Sequence, residues 1–545
     1  MHIRFILSAC AAIGLACSHG ASAAGAAQPA AAPVTAPVTA PAAPAYDLAA
    51  DVERTMRTFD VPGIAIAVVK DGKVLVARGF GVRERGQAGA VDGKTVFEIA
   101  SNSKAFTVAA LATLVDQGKL AWDDPVTKHV PGFQLFDPYS THAMTLRDLL
   151  SHRSGLGLGA GDLLWWPSTA FTTDEIIEKL RYLPPATSLR NNYAYNNLAF
   201  IVAGKVLSNT AGKPWGAAVR ERILAPLGMD GTTTSLDENA GNPNLAHPHS
   251  KIDGTAVPVK PMPAPNAVGA VGINSNAEDL ARWMRVLLDQ GALAGDAAGQ
   301  PRRLWSAAQA REMWMAQTPM RISEPKPALA EAKPNFLAYG LGFQLRDYRG
   351  VKLVLHGGAL QGFYSRLLMV PEAHLGIAIL TNAESGGALN ALQYRLLDAY
   401  LGGAPAKDWI GALAEVENAA HQEERKRQAQ ASAARAAGSR PSLPLESYDG
   451  QYRDPWYGLA TIKKVGQRHV LSFAKSPDLT GELEHWQHDT FIVRWRERNF
   501  DADAFVSFAL KPDGSIERMK MAPLSTETDF SYDFEDLLFT PVKDK

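Results

Sequence analysis

The sequence predicts an α+β domain followed by a small all-β domain, on three observations. β-rich runs stand at both ends of residues 46–402: Ile64–Val69 and Val74–Ala77 near the start, then Val351–Leu355, Ser365–Val370 and Gly376–Leu380 near the end. The stretch between them alternates helical runs with loops. After Pro441 and Pro444 the texture changes to short β-prone runs split by Gly, Asp and Pro. Terminal strands around a helical middle pack most economically as one antiparallel sheet flanked by helices. With 545 residues the chain also exceeds what a single compact core holds.

Taken in order, residues 1–23 read as an export signal. Arg4 supplies the positive start, Phe5 to Cys17 is largely apolar but too short to span a bilayer, and Ala21-Ser22-Ala23 is a small-x-small cleavage site. A secreted or periplasmic location is the expectation; lipid anchoring at Cys17 fits less well, because Gly14 stands where a larger apolar residue is usual. Residues 24–45 form an Ala/Pro-rich linker. Cys10 and Cys17 are the only cysteines and both fall in the signal, so the processed protein would have no disulfide, thiolate nucleophile or cysteine metal site. A net charge of −1 gives no basic field for nucleic acid or an anionic membrane.

Within 46–402, Lys70-Asp-Gly-Lys73 is a hairpin turn joining the first two strands, and a helix runs from Lys104 to about Gln117. Residues 403–440 are rich in Ala, Glu, Gln, Arg and Lys and read as a charged, helical, solvated linker. Residues 441–545 read as a barrel or sandwich with strands at Ala460–Ile462, Val470–Phe473, Thr490–Trp495 and Ala504–Leu510. This part is expected to fold independently and to lack hydrolytic activity of its own.

Three short patterns carry chemistry. In Phe97-Glu-Ile-Ala-Ser101-Asn-Ser-Lys104, at the start of a helix, Ser101 and Lys104 stand at i and i+3 and meet on one face. A serine hydroxyl needs a neighbouring base, and a lysine among apolar residues can have its pKa lowered enough to serve. The spacing recurs at Ser323-Glu-Pro-Lys326, in a loop, so alone it decides nothing. Tyr195-Asn-Asn197, preceding an apolar helix-like run, is the only Tyr-x-Asn in the chain. A phenolate beside a lysine cation can take the serine proton and pass it on, and Asn197 offers a donor and an acceptor to Lys104 and a substrate amide. The plainer alternative is a tyrosine packed at a helix start. His356-Gly357-Gly358-Ala359 ends an apolar strand, where glycines let the backbone approach a substrate and the next N–H can join that of Ser101 as an oxyanion hole. His374-Leu-Gly376 repeats the pattern in a polar turn, and a histidine that only packs a strand end is the alternative at 356. His485 and His488 lack a third ligand and read as solvated barrel residues. No metal or cofactor is expected.

Together, Ser-x-x-Lys, Tyr-x-Asn and His-x-Gly in this order resemble the serine β-lactamase and penicillin-binding-protein superfamily, specifically its class C β-lactamase-like and D,D-peptidase-like branch. The flanking Leu149-Leu-Ser-His-Arg-Ser-Gly-Leu156, Leu224-Ala-Pro-Leu-Gly-Met229 and Tyr339-Gly-Leu-Gly-Phe343 agree. The resemblance covers about 46–402 and implies a β-lactamase/transpeptidase-like fold, with the site between the sheet and an all-helical lobe. It implies Ser101 as the acylated residue, Lys104 as its activator and Tyr195 as general base. Asn197 would contact substrate and lysine, His356 and Gly358 would line the substrate site, and the N–H groups of Ser101 and Ala359 would form the oxyanion hole. Tyr448-Asp-Gly-Gln-Tyr452 and Leu479-Thr-Gly-Glu-Leu-Glu-His-Trp486 resemble the lipocalin-like domain attached to many members, which implies no catalytic residue there.

The expected activity is hydrolysis of a peptide, amide or ester through an acyl-serine intermediate, of D-amino-acid peptidase or esterase type. A class C-like β-lactamase and a non-catalytic penicillin-binding or sensing protein are the alternatives. A Ser-His-Asp hydrolase is disfavoured, since no Gly-x-Ser-x-Gly elbow occurs. Many relatives have lysine where His356 stands. Histidine ordinarily titrates near about 6.5, so a pH-dependent hold on substrate carboxylates is expected, weakening between about pH 6 and pH 8.

Overall fold

The computed structural model describes residues 46–293, 302–402, 407–436 and 438–542. The expected export signal, the expected Ala/Pro linker and both cysteines lie outside them. Among the described residues the central layer is an eight-stranded antiparallel sheet. Its strands are β1 (Gly63–Lys70), β2 (Lys73–Gly81), β3 (Thr318–Pro319), β4 (Leu337–Tyr339), β5 (Gln344–Tyr348), β6 (Val351–Leu360), β7 (Phe363–Val370) and β8 (Leu375–Thr381). Their order is β2-β1-β8-β7-β6-β5-β4-β3. The two ends of the domain therefore meet, with Ala67 of β1 opposite Ala378 of β8. The β1–β2 turn passes through Asp71 and Gly72 at φ +49° and +74°, the left-handed pair that a tight two-residue hairpin requires.

β1 is apolar at nearly every position because both its faces are covered. Ile64, Ile66 and Val68 point into one core, which includes Phe59, Leu392 and Trp409; Ala65, Ala67 and Val69 point into the other, which includes Phe106 and Trp283. Of the principal helices, α1 (Leu48–Phe59), α5 (Gly386–Leu401) and α6 (Trp409–Ala433) serve the first core, and α2 (Ser103–Asp116), α3 (Asn197–Ala211) and α4 (Ala277–Leu288) the second. α1 starts under the Asp47 carboxylate, which accepts from the Ala50 N–H at 3.0 Å, and buries Val52, Thr55 and Phe59 along one stripe. α2 and α3, with shorter helices between them, make the helical lobe. α2 is buried on every side over most of its length.

The C-terminal domain is a nearly closed antiparallel barrel. Its strands are β9 (Gly450–Asp454), β10 (Gly458–Val465), β11 (Arg468–Phe473), β12 (Ser476–Gln487), β13 (Thr490–Trp495), β14 (Ala504–Leu510), β15 (Ile516–Pro523) and β16 (Thr540–Pro541). They run β15-β14-β13-β12-β11-β10-β9-β16, and a bridge between Met519 and Phe539 spans the seam. Tyr452, Phe473, Trp495, Phe534 and Phe539 fill the interior.

Charge composition suggests a solvated connector, but α6 is anchored at two points. Trp409, Ile410 and Leu413 are buried against the first domain, with the Trp409 indole N–H donating to Asp398 at 2.8 Å. Farther on, Glu424 is buried against the barrel, accepting from Ser525 and Thr526 at 2.9 and 2.8 Å. The barrel also touches the helical lobe directly: the Ala170 N–H donates to the Lys475 carbonyl at 2.8 Å.

Candidate active site

Ser101 sits in a 3₁₀ turn, Ala100–Asn102, that feeds directly into α2. Ala100 is held at φ +48°, a left-handed conformation rare for alanine and a local strain next to the serine. Side chains lock this turn: Asn102 Nδ2 donates to Ser365 Oγ, and Ser365 Oγ to the Ile99 carbonyl, both at 2.8 Å. Lys104 follows on the first turn of α2, fully buried. Its Nζ lies 3.0 Å from Ser101 Oγ, 2.8 Å from Asn197 Oδ1 and 3.4 Å from the Ala270 carbonyl. A neutral amine has two N–H groups and one lone pair. Asn197 and Ala270 can only accept here, so they take the two hydrogens and leave the lone pair facing Ser101. Burial pulls Lys104 down to about 7, opposed by the charge of Asp162.

Tyr195 precedes α3, whose N-cap Asn196 accepts from the Ala199 N–H at 3.2 Å. The Tyr195 hydroxyl donates to Ser101 Oγ at 2.8 Å. Burial raises this phenol well above 10.0, so it keeps its proton. At rest it is thus a phenol that donates to Ser101 rather than a phenolate. The buried ring of His152 packs 4.4 Å from that of Tyr195 and steadies it.

β6 forms the opposite wall. A Cβ on Gly358 would lie 2.1 Å from the Ile99 carbonyl oxygen and 2.3 Å from Ser365 Oγ, so only glycine lets the strand pass this close to the nucleophile's turn. Ala359 is exposed on the cavity rim. His356 is buried: its Nδ1 lies 2.6 Å from the Gly357 carbonyl, which can only accept, so Nδ1 carries the hydrogen and Nε2 accepts from the Tyr339 hydroxyl at 2.7 Å. Burial, helped by the nearby Lys104 charge, lowers His356 to about 3. The expected titrating contact to a substrate carboxylate is thereby corrected: this histidine is neutral throughout the neutral range. The fixed cation on the cavity wall is instead Arg366 of β7, opposite Gly357. Its Nη2 donates to Asn390 Oδ1 at 3.2 Å, and its Nε has no protein partner.

These residues surround one cavity of about 350 Å³, lined by Ser101, Tyr195, Asn197, His356, Gly358 and Ala359, with Lys104 directly beneath. The barrel contributes a further wall, Asp529-Phe530-Ser531. Phe530 meets the Tyr195 ring edge-on at 6.0 Å. Sequence reasoning missed this wall and Asp162, a fully buried carboxylate between Asn197 and Ser531. The one available signal was a lone acid inside the apolar run Gly159-Ala-Gly-Asp-Leu-Leu-Trp-Trp166, since an unpaired buried charge is rare. His485 Nε2 bonds to the His488 carbonyl on the barrel's outside, and no cluster of three metal-ligating side chains occurs among the described residues.

A family model described as Beta-lactamase matches residues 48–401. The chain belongs to the beta-lactamase family. In this β-lactamase-family serine hydrolase, a second model, a domain of unknown function (DUF3471), matches residues 434–541, the barrel. An unguisins hydrolase of Aspergillus campestris is 31% identical over 86% of the hydrolase chain and 88% of its own. Penicillin-binding protein 4 of Amycolatopsis lactamdurans is 32% identical over 59% of the chain and 81% of its own. The octameric penicillin-binding protein homologue from Pyrococcus abyssi superposes over 91% of this hydrolase at a TM-score of 0.58 and 21% identity, which shows a shared fold.

Proposed function

We propose that this chain is an exported hydrolase that cleaves a peptide, amide or ester through an acyl-Ser101 intermediate, as a D-amino-acid peptidase or esterase. One observation carries the reading: Ser101 Oγ stands between Lys104 Nζ at 3.0 Å and the Tyr195 hydroxyl at 2.8 Å, at the floor of an open cavity. Lys104, neutral above about pH 7, takes the serine proton as Oγ attacks the carbonyl carbon. The N–H groups of Ser101 and Ala359 receive the oxyanion. Tyr195 gives its proton to the leaving group and is reprotonated from the Lys104 ammonium. Water then repeats the sequence to release the acid. Asn197 orients the lysine and faces the substrate. The hydrolase name of the Aspergillus relative supports turnover over a binding-only role. The reading of residues 1–23 as a cleaved signal supports export, and the intact mass of the protein recovered outside the cytoplasm tests it.

A class C-like β-lactamase is the second reading, favoured by Arg366, a permanent cation on the cavity wall suited to a penicillin carboxylate. Purified protein is to be screened against D- and L-aminoacyl amides, short-chain esters and nitrocefin, with intact-mass trapping of the acyl-enzyme. Ser101→Ala should abolish both turnover and fluorophosphonate labelling while thermal unfolding stays close to that of the unmodified protein. Labelling that survives, particularly at Ser103, overturns the assignment.

A further inference from the structure

One short segment of the C-terminal barrel reaches into the helical lobe at the turn that carries Asp162. Asp533 accepts the backbone N–H groups of Gly161 and Leu163 at 2.6 and 3.1 Å, gripping the turn that carries Asp162 from both sides. Ser531 Oγ donates to Asp162 Oδ2 at 3.0 Å. The same oxygen accepts from Asn197 Nδ2 at 2.8 Å, and Oδ1 accepts from the Trp165 indole at 2.9 Å. Asn197 then presents Oδ1 to Lys104 at 2.8 Å. Ser531, Asp162 and Asn197 are all buried.

The chemistry of this chain runs one way. Burial pushes the Asp162 carboxyl up to about 7, but its three partners, Trp165, Asn197 and Ser531, are all donors and favour the ionised form. That form can only accept, so Asp162 compels Asn197 to offer its NH₂ group there and its carbonyl oxygen to Lys104. Without that acceptor the amide is free to turn over and set a donor against the lysine. The negative charge also opposes the loss of the Lys104 proton that burial favours.

We propose that the barrel is a working part of the active site: Ser531 and Asp533 fix Asp162, and Asp162 is the positioning residue that sets Asn197 and, through it, Lys104. This rests on the reading of Lys104 as the group that takes the serine proton. Asp162 does not line the cavity, and Ser531, which does, gives its hydroxyl hydrogen to Asp162; both act on the lysine. The expectation that the barrel lacks hydrolytic activity of its own stands beside this, since its contribution needs the other domain's nucleophile.

The test uses the full chain with a neutral short-chain ester, comparing Asp162→Asn and Ser531→Ala with the unmodified protein. Asp162→Asn should lower kcat by about 10²-fold with KM within about twofold, as expected when a catalytic group is misplaced. Its acid limb of kcat/KM should move to lower pH, because the lysine has lost the charge that favours its protonated form. Ser531→Ala removes one of three donors to the carboxylate and makes it harder to ionise. Its shift should have the same direction and be smaller, with kcat down by about tenfold. An acid limb that stays in place while activity falls would reduce both residues to structural supports and overturn the proposal. Unchanged kcat in folded variants would do the same. If Asp162→Asn does not fold, Ser531→Ala, a small deletion on the barrel side, decides alone. Lys104→Ala separates the two levels: full activity in that variant defeats the reading of the lysine, whereas loss there with unmoved Asp162 and Ser531 variants defeats only the coupling.

Discussion

At the scale of single residues, the proton inventory around Ser101 follows from burial. On the proposed reading, a lysine brought to about 7 and a tyrosine kept well above 10.0 divide the work: the amine receives the proton, and the phenol donates one. For Lys104 the active form is the neutral one and its pKa is depressed, so activity appears as pH rises. The kcat/KM of a neutral ester should climb about tenfold per pH unit below about 7 and level off above it. A profile flat from pH 5 to pH 9 would remove the lysine from the base role. Tyr195→Phe should cut kcat by about 10²–10⁴ while leaving substrate binding in place. His356, brought down to about 3, is cationic only in strong acid. KM for carboxylate substrates should therefore show no trend from about pH 6 to 8 attributable to this ring. Arg366→Gln, by contrast, should raise that KM at every pH and spare neutral esters.

At the scale of elements, the close pass of β6 over the nucleophile's turn is testable with two neighbouring glycines. Gly358→Ala drives a methyl group into the Ile99 carbonyl and Ser365 Oγ. It should cost about 1–3 kcal/mol of stability and lower kcat by at least about 10²-fold. Gly357→Ala meets nothing closer than 3.7 Å, at Arg366 Cζ, and should unfold at nearly the usual temperature. Equal damage from both would mean that strand flexibility, not the close approach, matters. The elements that announce themselves in sequence are those with continuous apolar runs. β1 and β8 are legible because both faces are buried, and β13 and β14 fall where their β-branched and aromatic residues indicate. β12 and β15 are not, because Pro477 opens one and Glu517, Arg518 and Lys520 stud the other's exposed positions. The helix start behind Ser101 and Lys104 was equally legible, since the i, i+3 spacing and an apolar run suffice for it.

At the scale of the whole molecule, the parts invisible in sequence are those that bridge domains. Asp162 and Ser531 stand 369 positions apart, and neither lies in a pattern that names its partner. The same holds for Glu424, whose carboxylate receives Arg427, Gln428, Ser525 and Thr526. The Arg427 guanidinium, first among these donors, holds this carboxyl well below the usual range, so its contribution is present at neutral pH, begins to fall below the ordinary carboxyl range and is gone once the pH has fallen through the folded-state value. Glu424→Ala should lower the unfolding free energy by about 1–3 kcal/mol at neutral pH. That loss should shrink as the pH falls through the folded-state value; a loss independent of pH down to strong acid would rule out the ionised carboxylate as its source. The wall at Asp529-Phe530-Ser531 has a further consequence, in time. Synthesis delivers the nucleophile early and this wall more than four hundred residues later. Until that late segment has been made and has found its seat, the serine stands in an unfinished pocket. The cavity around the nucleophile is thus enclosed only by the last part of the chain to be made.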